Sequence, residues 1–313
     1  MRIAVLDDYQ RAARRFADWD ALDGEVVFFH EPLAGTDAVA SALAGFDAVV
    51  AMRERTPFTA EVFDRLPGLR LLVTTGMVNA SVDLAAARHH GVTVCGTDSP
   101  PHATAELTWG LILSLARHIP AESAGMREGG WQHTVGRDLH GRTLGVVGLG
   151  RLGSRVAAIG AAFGMRVLAW SSNLDPERAV AAGTEPVDRR TLFEQADVVT
   201  VHYKLSARSA GLIGAEELSW MKPTALLVNT SRGPLVDTAA LTEAVRSGRI
   251  AGAGLDVYDL EPLPADDPLR TVPGTVLTPH LGYVTEATYE VFYGQAAEDI
   301  TAFAAGTPLR VLT

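Results

Sequence analysis

Arg232, Glu261 and His280 each stand just beyond a short apolar run, and together they are the parts that carbonyl reduction by hydride requires. Arg232 lies in Asn229-Thr-Ser-Arg-Gly233 after the run 225–228. Glu261 lies in Asp256-Val-Tyr-Asp-Leu-Glu-Pro262 after 252–257, and His280 follows Thr275-Val-Leu-Thr-Pro279 and precedes Leu281-Gly282. A guanidinium holds a carboxylate through planar, directional donors and polarises a neighbouring 2-oxo group. An imidazolium gives its proton to the carbonyl oxygen as hydride reaches carbon, and a carboxylate on its other nitrogen fixes the tautomer and favours the charged ring. Singly, each residue reads as a structural ion pair or a solvated loop residue. Their joint order, each after a strand, is what points to chemistry.

A hydride needs a carrier, and a second motif provides for one. In Thr143-Leu-Gly-Val-Val-Gly-Leu-Gly-Arg-Leu-Gly-Ser, the pattern Gly148-x-Gly150-x-x-Gly153 follows a strand-like run and opens an Ala-rich helix at 154–163. Gly148 permits the tight turn, Gly150 lets a pyrophosphate approach the backbone, and Gly153 lets the helix pack closely, with the phosphates at the positive helix N-terminus. About 20 residues beyond such a motif an acidic residue usually accepts the ribose hydroxyls. Here that place holds Ser171-Ser172-Asn173, with Arg178 and Lys204 as candidate nearby cations. Without a carboxylate a 2'-phosphate meets no like-charge repulsion, so the reading favours NADP over NAD as the cofactor.

These residues need a scaffold, and the apolar runs describe it. Strand-length runs at 3–6, 26–29, 48–52 and 69–74 alternate with helical stretches. A second series follows at 144–148, 166–170, 198–202, 225–229 and 252–257. Alternation of this kind implies parallel sheets with helices on both faces. The 313 residues suit about two domains. The pattern 104–118 reads as a connecting helix with apolar residues on several faces, suited to burial between domains or against another subunit, and 286–305 reads as a C-terminal helix.

Composition narrows the class. The chain is 47% hydrophobic and 20% charged, with a mean hydropathy of +0.13, which excludes a disordered protein. A formal charge of -10 argues against nucleic acid as a partner. It also requires an anionic cofactor and substrate to be held by a few placed cations, chiefly Arg151 and Arg232. Cys95 is the only cysteine, so no intramolecular disulfide or cysteine-rich zinc site is expected, no metal site is assigned, and a reducing cytoplasm is the expected location. No apolar stretch reaches the ~20 residues of a membrane span, and the N-terminus reads as a strand, not a secretory signal.

Over essentially its whole length the sequence resembles the D-2-hydroxyacid dehydrogenase family, which includes phosphoglycerate dehydrogenases and glyoxylate and hydroxypyruvate reductases. The resemblance rests on Gly148-Leu-Gly-Arg-Leu-Gly153, Ala196-Asp-Val-Val-Thr-Val-His202, Met221-Lys-Pro223, Asn229-Thr-Ser-Arg-Gly233, Gly254-Leu-Asp-Val-Tyr258 with Glu261-Pro262, and Thr278-Pro-His-Leu-Gly282. It implies that Arg232, Glu261 and His280 are the catalytic set and that Arg151 and Leu152 contact the pyrophosphate. It further implies that Thr230, Ser231 and Asp256 line the nicotinamide side, with His280 and Gly282 close to the cofactor.

The implied fold is α/β, with two Rossmann-like, doubly wound parallel-sheet domains. The substrate domain, 1–98 with 285–313, would be interrupted by a cofactor domain at 99–284, with a cleft that closes on binding and a homodimer formed through the connecting helix. Three departures bear on the site. The loop Thr75-Gly-Met-Val-Asn-Ala-Ser-Val-Asp83 is similar to the family's carboxylate-binding loop, so Met77 and Val78 are candidate substrate contacts, but Val78 replaces a glycine and its lost φ freedom puts substrate size in question. His202-Tyr-Lys204 replaces the usual His-x-Pro and places Lys204 near the expected adenosine side. Arg53 resembles a basic residue that faces the substrate in some relatives, with an ion pair to Glu54 or Glu61 as the alternative. Tyr283 is expected either to close the substrate pocket or to serve an interface. The leading expectation is a glyoxylate or hydroxypyruvate reductase. A phosphoglycerate dehydrogenase and a dinucleotide-sensing corepressor-like protein are the rivals.

Overall fold

The computed structural model describes all 313 residues. The chain forms two compact units, one of Met1–Pro100 with Val284–Thr313 and one of Pro101–Tyr283. In the first, β1 (Arg2–Val5), β2 (Glu25–Phe28), β3 (Ala48–Ala51), β4 (Leu71–Thr74) and β5 (Thr93–Gly96) form an all-parallel sheet in the order β2-β1-β3-β4-β5. Helices α1 (Gly35–Leu43), α2 (Ala60–Asp64) and α3 (Leu84–His89) connect the later strands. The sequence runs that suggested strands omit β5, which is a short edge strand.

The central unit opens with α4 (Ala103–Ala116) and α5 (Ile119–Arg127). It continues through β6 (Thr143–Val147), α6 (Arg151–Ala162), β7 (Arg166–Trp170), α7 (Pro176–Ala181), the two-residue β8 (Glu185–Pro186), α8 (Arg189–Gln195) and β9 (Val198–Val201). Then come α9 (Ala215–Trp220), β10 (Leu226–Asn229), α10 (Thr238–Arg246), β11 (Gly252–Leu255) and β12 (Thr275–Leu277). The seven strands are parallel in the order β12-β11-β10-β9-β6-β7-β8. From β6 the chain first winds outward through β7 and β8 and then returns to the other side of β6. The switch point, where such sheets take their ligands, therefore lies between β6 and β9.

Successive strand residues point to opposite faces, and here both faces are covered. Val147, Val199 and Leu227 join one apolar cluster with Leu192 and Leu241. Val146, Val198 and Val228 join the other with Trp109 and Val156. Helix α4 belongs to that second layer. Its Leu111 and Leu115 pack on its own unit's sheet at β10 and β11, so these apolar residues are buried within the unit itself.

The chain ends by returning to the first unit. Helix α11 (Glu286–Ala304) buries Tyr289, Phe292, Tyr293 and Ile300 and packs on β4. The tail then lies antiparallel to β5 through a Cys95–Val311 bridge, with the Leu312 amide donating to the Val94 carbonyl at 2.7 Å. No helix is long and apolar enough to cross a membrane.

Candidate active site

The carboxyl ends of β6, β7, β9, β10 and β11 bring most of the singled-out residues of the central unit to one edge. Gly148, beyond β6, has φ +98°, and a Cβ there would lie 2.5 Å from the His202 carbonyl oxygen, so only glycine fits. A Cβ on Gly153 would collide with the Gly148 carbonyl, which fixes how closely α6 approaches the loop. Helices α3, α7, α8, α10 and α11 are each capped by their own Asp or Thr side chain. Helix α6 is preceded by Gly150, with no capping side chain and nothing within 4 Å of where a Cβ would stand. Open space at uncapped amides, beside exposed Arg151 and half-buried Leu152, fits the pyrophosphate of a dinucleotide.

At the end of β7 the Leu149 amide donates to Ser171 Oγ at 3.1 Å. Ser172 and Asn173 are exposed, and Tyr203, beyond β9, donates its hydroxyl to Ser172 Oγ at 2.7 Å. His202 is hydrogen-bonded through Nε2 to Thr200 Oγ1 at 2.9 Å, while its Nδ1 is sealed without a partner, and burial pushes the imidazole down to about 3. Lys204 is exposed on the same loop.

Arg232 is presented by an Asn229 turn. The Asn229 side chain donates to the Arg232 carbonyl at 2.9 Å and accepts from the Ser231 amide at 3.0 Å. Ser231 Oγ donates to the Tyr203 carbonyl, and Thr230 is buried with its hydroxyl 2.8 Å from that of Thr108 on α4. Glu261 Oε1 accepts from the Tyr258 amide at 2.9 Å, and its Oε2 lies 2.5 Å from His280 Nδ1. Burial pushes the Glu261 carboxyl up. The His280 hydrogen bond and charge, the Tyr258 amide and the Arg232 guanidinium together outweigh that and hold it below its ordinary value. Arg232 and His280 thus act on one carboxylate.

His280 itself sits at φ +52°, a conformation that a non-glycine residue keeps only when its surroundings impose it. Asp256 imposes it. Its Oδ1 accepts from Thr278 Oγ1 at 2.6 Å and the Leu281 amide at 2.7 Å, and its Oδ2 accepts from the Gly282 amide at 2.8 Å. Burial raises the Asp256 pKa despite these bonds. The Tyr283 ring meets the His280 ring edge-on at 5.5 Å. With Nδ1 taken by Glu261, Nε2 is the nitrogen left to exchange a proton with a substrate.

Residues 109–282 match the family described as D-isomer specific 2-hydroxyacid dehydrogenase, NAD binding domain. The glyoxylate reductase of Korarchaeum cryptofilum is 38% identical over 267 residues, which cover 83% of this chain and 80% of that protein. The chain belongs to the D-isomer specific 2-hydroxyacid dehydrogenase family. The D-3-phosphoglycerate dehydrogenase of Bacillus subtilis is 37% identical over 267 residues, 84% of this chain, which spans only half of that longer protein. Among solved structures, a phosphoglycerate oxidoreductase from Vibrio cholerae superposes with a TM-score of 0.93 at 37% identity, covering 98% of this chain and 99% of the other.

The remaining expected residues of this 2-hydroxyacid dehydrogenase family member lie in the N-terminal unit, at the carboxyl edge of its own sheet. Arg53 Nη1 donates to the Thr75 carbonyl at 2.9 Å, and its Nε lies 3.6 Å from the Glu54 carboxylate. Met77 and Val78 are exposed on the loop after β4. Val78 is not among the residues with positive φ, so the absent glycine imposes no strain at that position. Sequence reasoning missed Tyr203, Asn229 and Asn79. The last ties two loops together by donating to the Arg53 carbonyl at 2.6 Å and to Thr74 Oγ1 at 2.8 Å. An Asn two residues before a bonded amide was the available signal for both asparagines. Tyr203 had none.

Proposed function

We propose that the protein is an NADP-preferring reductase of small 2-oxo acids, of the glyoxylate or hydroxypyruvate type. The 2.5 Å pairing of His280 Nδ1 with Glu261, beside Arg232, carries this reading. Gly148, Gly150, Arg151, Leu152 and Gly153 would hold the pyrophosphate of the dinucleotide, whose dihydronicotinamide would supply the hydride. Arg232 grips the substrate carboxylate and draws electron density from the 2-oxo group. As C2 gains its new C–H bond, the C2 oxygen takes the proton from His280 Nε2, and Glu261 holds the ring in place throughout. The product is the 2-hydroxy acid. Thr230, Ser231 and Gly282 flank the cofactor, Asp256 keeps the His280 loop in position, and Tyr283 walls the substrate. In the N-terminal unit the Met77 and Val78 amides offer donors to a carboxylate.

A phosphorylated substrate fits less well. Arg53 already faces Glu54, with both side chains less than one-fifth exposed, so the pair carries little net charge toward a second anionic group. A complete Arg, Glu and His set also favours turnover over cofactor sensing alone. The exposed apolar residues Ile119, Met126, Trp131 and Val135, which follow α4 in the chain, support a homodimer.

The test is oxidation of NADH and NADPH at 340 nm with glyoxylate, hydroxypyruvate, phosphohydroxypyruvate and pyruvate. Reduction of the unphosphorylated acids with NADPH favoured is the expected result. Preference for phosphohydroxypyruvate would overturn the substrate reading, and no oxidation with any acid would overturn the reaction.

A further inference from the structure

The serines that replace the ribose-binding carboxylate are oriented, and the orientation comes from outside their own loop. A hydroxyl carries one hydrogen and two lone pairs. Ser171 Oγ accepts the Leu149 amide at 3.1 Å, and Ser172 Oγ accepts the Tyr203 phenol hydrogen at 2.7 Å. The same phenol oxygen accepts the Ser172 amide at 3.2 Å, so one phenol both receives from and gives to the same residue. The Tyr203 ring is itself braced, stacked on Trp170 at 6.0 Å and 16°. Each serine thus meets its protein partner as an acceptor and keeps its own hydrogen for something else.

Two outward O–H donors, with no carboxylate beside them, complement a group made only of acceptor oxygens. The 2'-phosphate of an adenosine is such a group, and exposed Lys204, on the Tyr203 loop, adds positive charge. A ribose diol, which must give its hydrogens away, finds its best partner missing.

We propose that Tyr203 is the specificity-determining residue for the cofactor: by spending its phenol hydrogen on Ser172 it sets that serine as a second donor for a 2'-phosphate, beside Ser171, which the Leu149 amide orients. This rests on the NADP reading above. Tyr203 acts through the serine and is a positioning residue.

The test is calorimetric binding to the whole protein, without turnover, of adenosine 2',5'-bisphosphate and of adenosine 5'-monophosphate, which differ only in the 2'-phosphate. The wild type should prefer the bisphosphate by at least about tenfold. Tyr203→Phe keeps the stacked ring and should cut that preference roughly five- to tenfold, the order of one hydrogen bond to a charged group. Ser172→Ala should cut it equally, and the double variant should fall no further, since both changes break one link. Should the tyrosine variant fail to fold, Ser172→Ala still decides. Equal wild-type affinity for the two nucleotides would overturn the NADP reading and this inference together. A wild-type preference that survives both single changes would overturn this inference alone.

Discussion

The first strand of each unit's sheet, β1 or β6, ends at a switch point, and the two ends are used in opposite ways. Beyond β1 the chain reads Leu6-Asp7-Asp8, and the buried Asp8 carboxylate accepts the amides of Ala12 and Ala13 at 2.7 and 3.1 Å, at the start of a short 3-10 turn. Asp7, at φ +58°, is held by Thr56 and Tyr9. Beyond β6 the chain reads Gly148-Leu-Gly150, and the first amides of α6 meet no side chain. One edge is filled with its own anion, and the other has no side chain on it, as the proposed dinucleotide site requires. Similar sheets therefore carry different duties because of a few residues at strand ends, which is why function must be argued from the site and not from the fold.

The sharpest way to test the open edge is to stop its chemistry. His280→Asn should lower kcat by roughly two to four orders of magnitude, the range for losing a general acid, and steady-state rates near wild type would reject the role of His280. Next, the open edge can be made to imitate the filled one. Gly150 has φ −89° and ψ −164°, which any residue adopts, and has room for a side chain. Gly150→Asp should cap α6, raise the melting temperature slightly, and weaken dinucleotide binding about 100-fold by setting a carboxylate against the phosphates. Unchanged affinity in a fluorescence titration would break the comparison.

The converse change empties the filled edge. Asp8→Ala strands two buried amides and should cost about 1–3 kcal/mol in a denaturant melt; a neutral result would mean the carboxylate is not needed there. The last test is a pH slope. His202 is held neutral by burial with its pKa near 3, against 6.5 when exposed. Below about 6.5 the unfolded chain takes a proton that the native ring refuses. Stability is therefore fully present above 6.5 and is lost as pH falls towards 3. Melts from pH 7.5 to 4 should steepen this way in the wild type and be flatter in His202→Asn.

Much of this was legible beforehand. The glycine loop, the strand-end positions of Arg232, Glu261 and His280, and the two parallel sheets follow from local pattern, because glycine spacing and apolar runs are properties of neighbouring residues. What escaped depends on distance in the chain. Tyr203 meets Ser172 across 31 residues, because β7 and β9 flank β6 in the sheet. The Arg53 and Glu54 pair was one of two options on sequence grounds, and only side-chain geometry separated them. Strand β5, Thr93-Val-Cys-Gly96, starts on a polar residue and ends on glycine, so it leaves no apolar run like those of β3 and β4. Helix α4 has apolar residues on several faces, a pattern that gives burial without saying against what.

The return of the chain to its first unit has a consequence for biosynthesis. A ribosome delivers β1 to β5 before the central unit, yet the Tyr289, Phe292 and Tyr293 side chains and the strand-like segment on β5 that join that unit follow the central unit in the chain. At about 5–20 residues per second, the central unit emerges roughly 1.5 to 6 seconds before the other unit has these parts. Of the two units, the one begun first is the later to close.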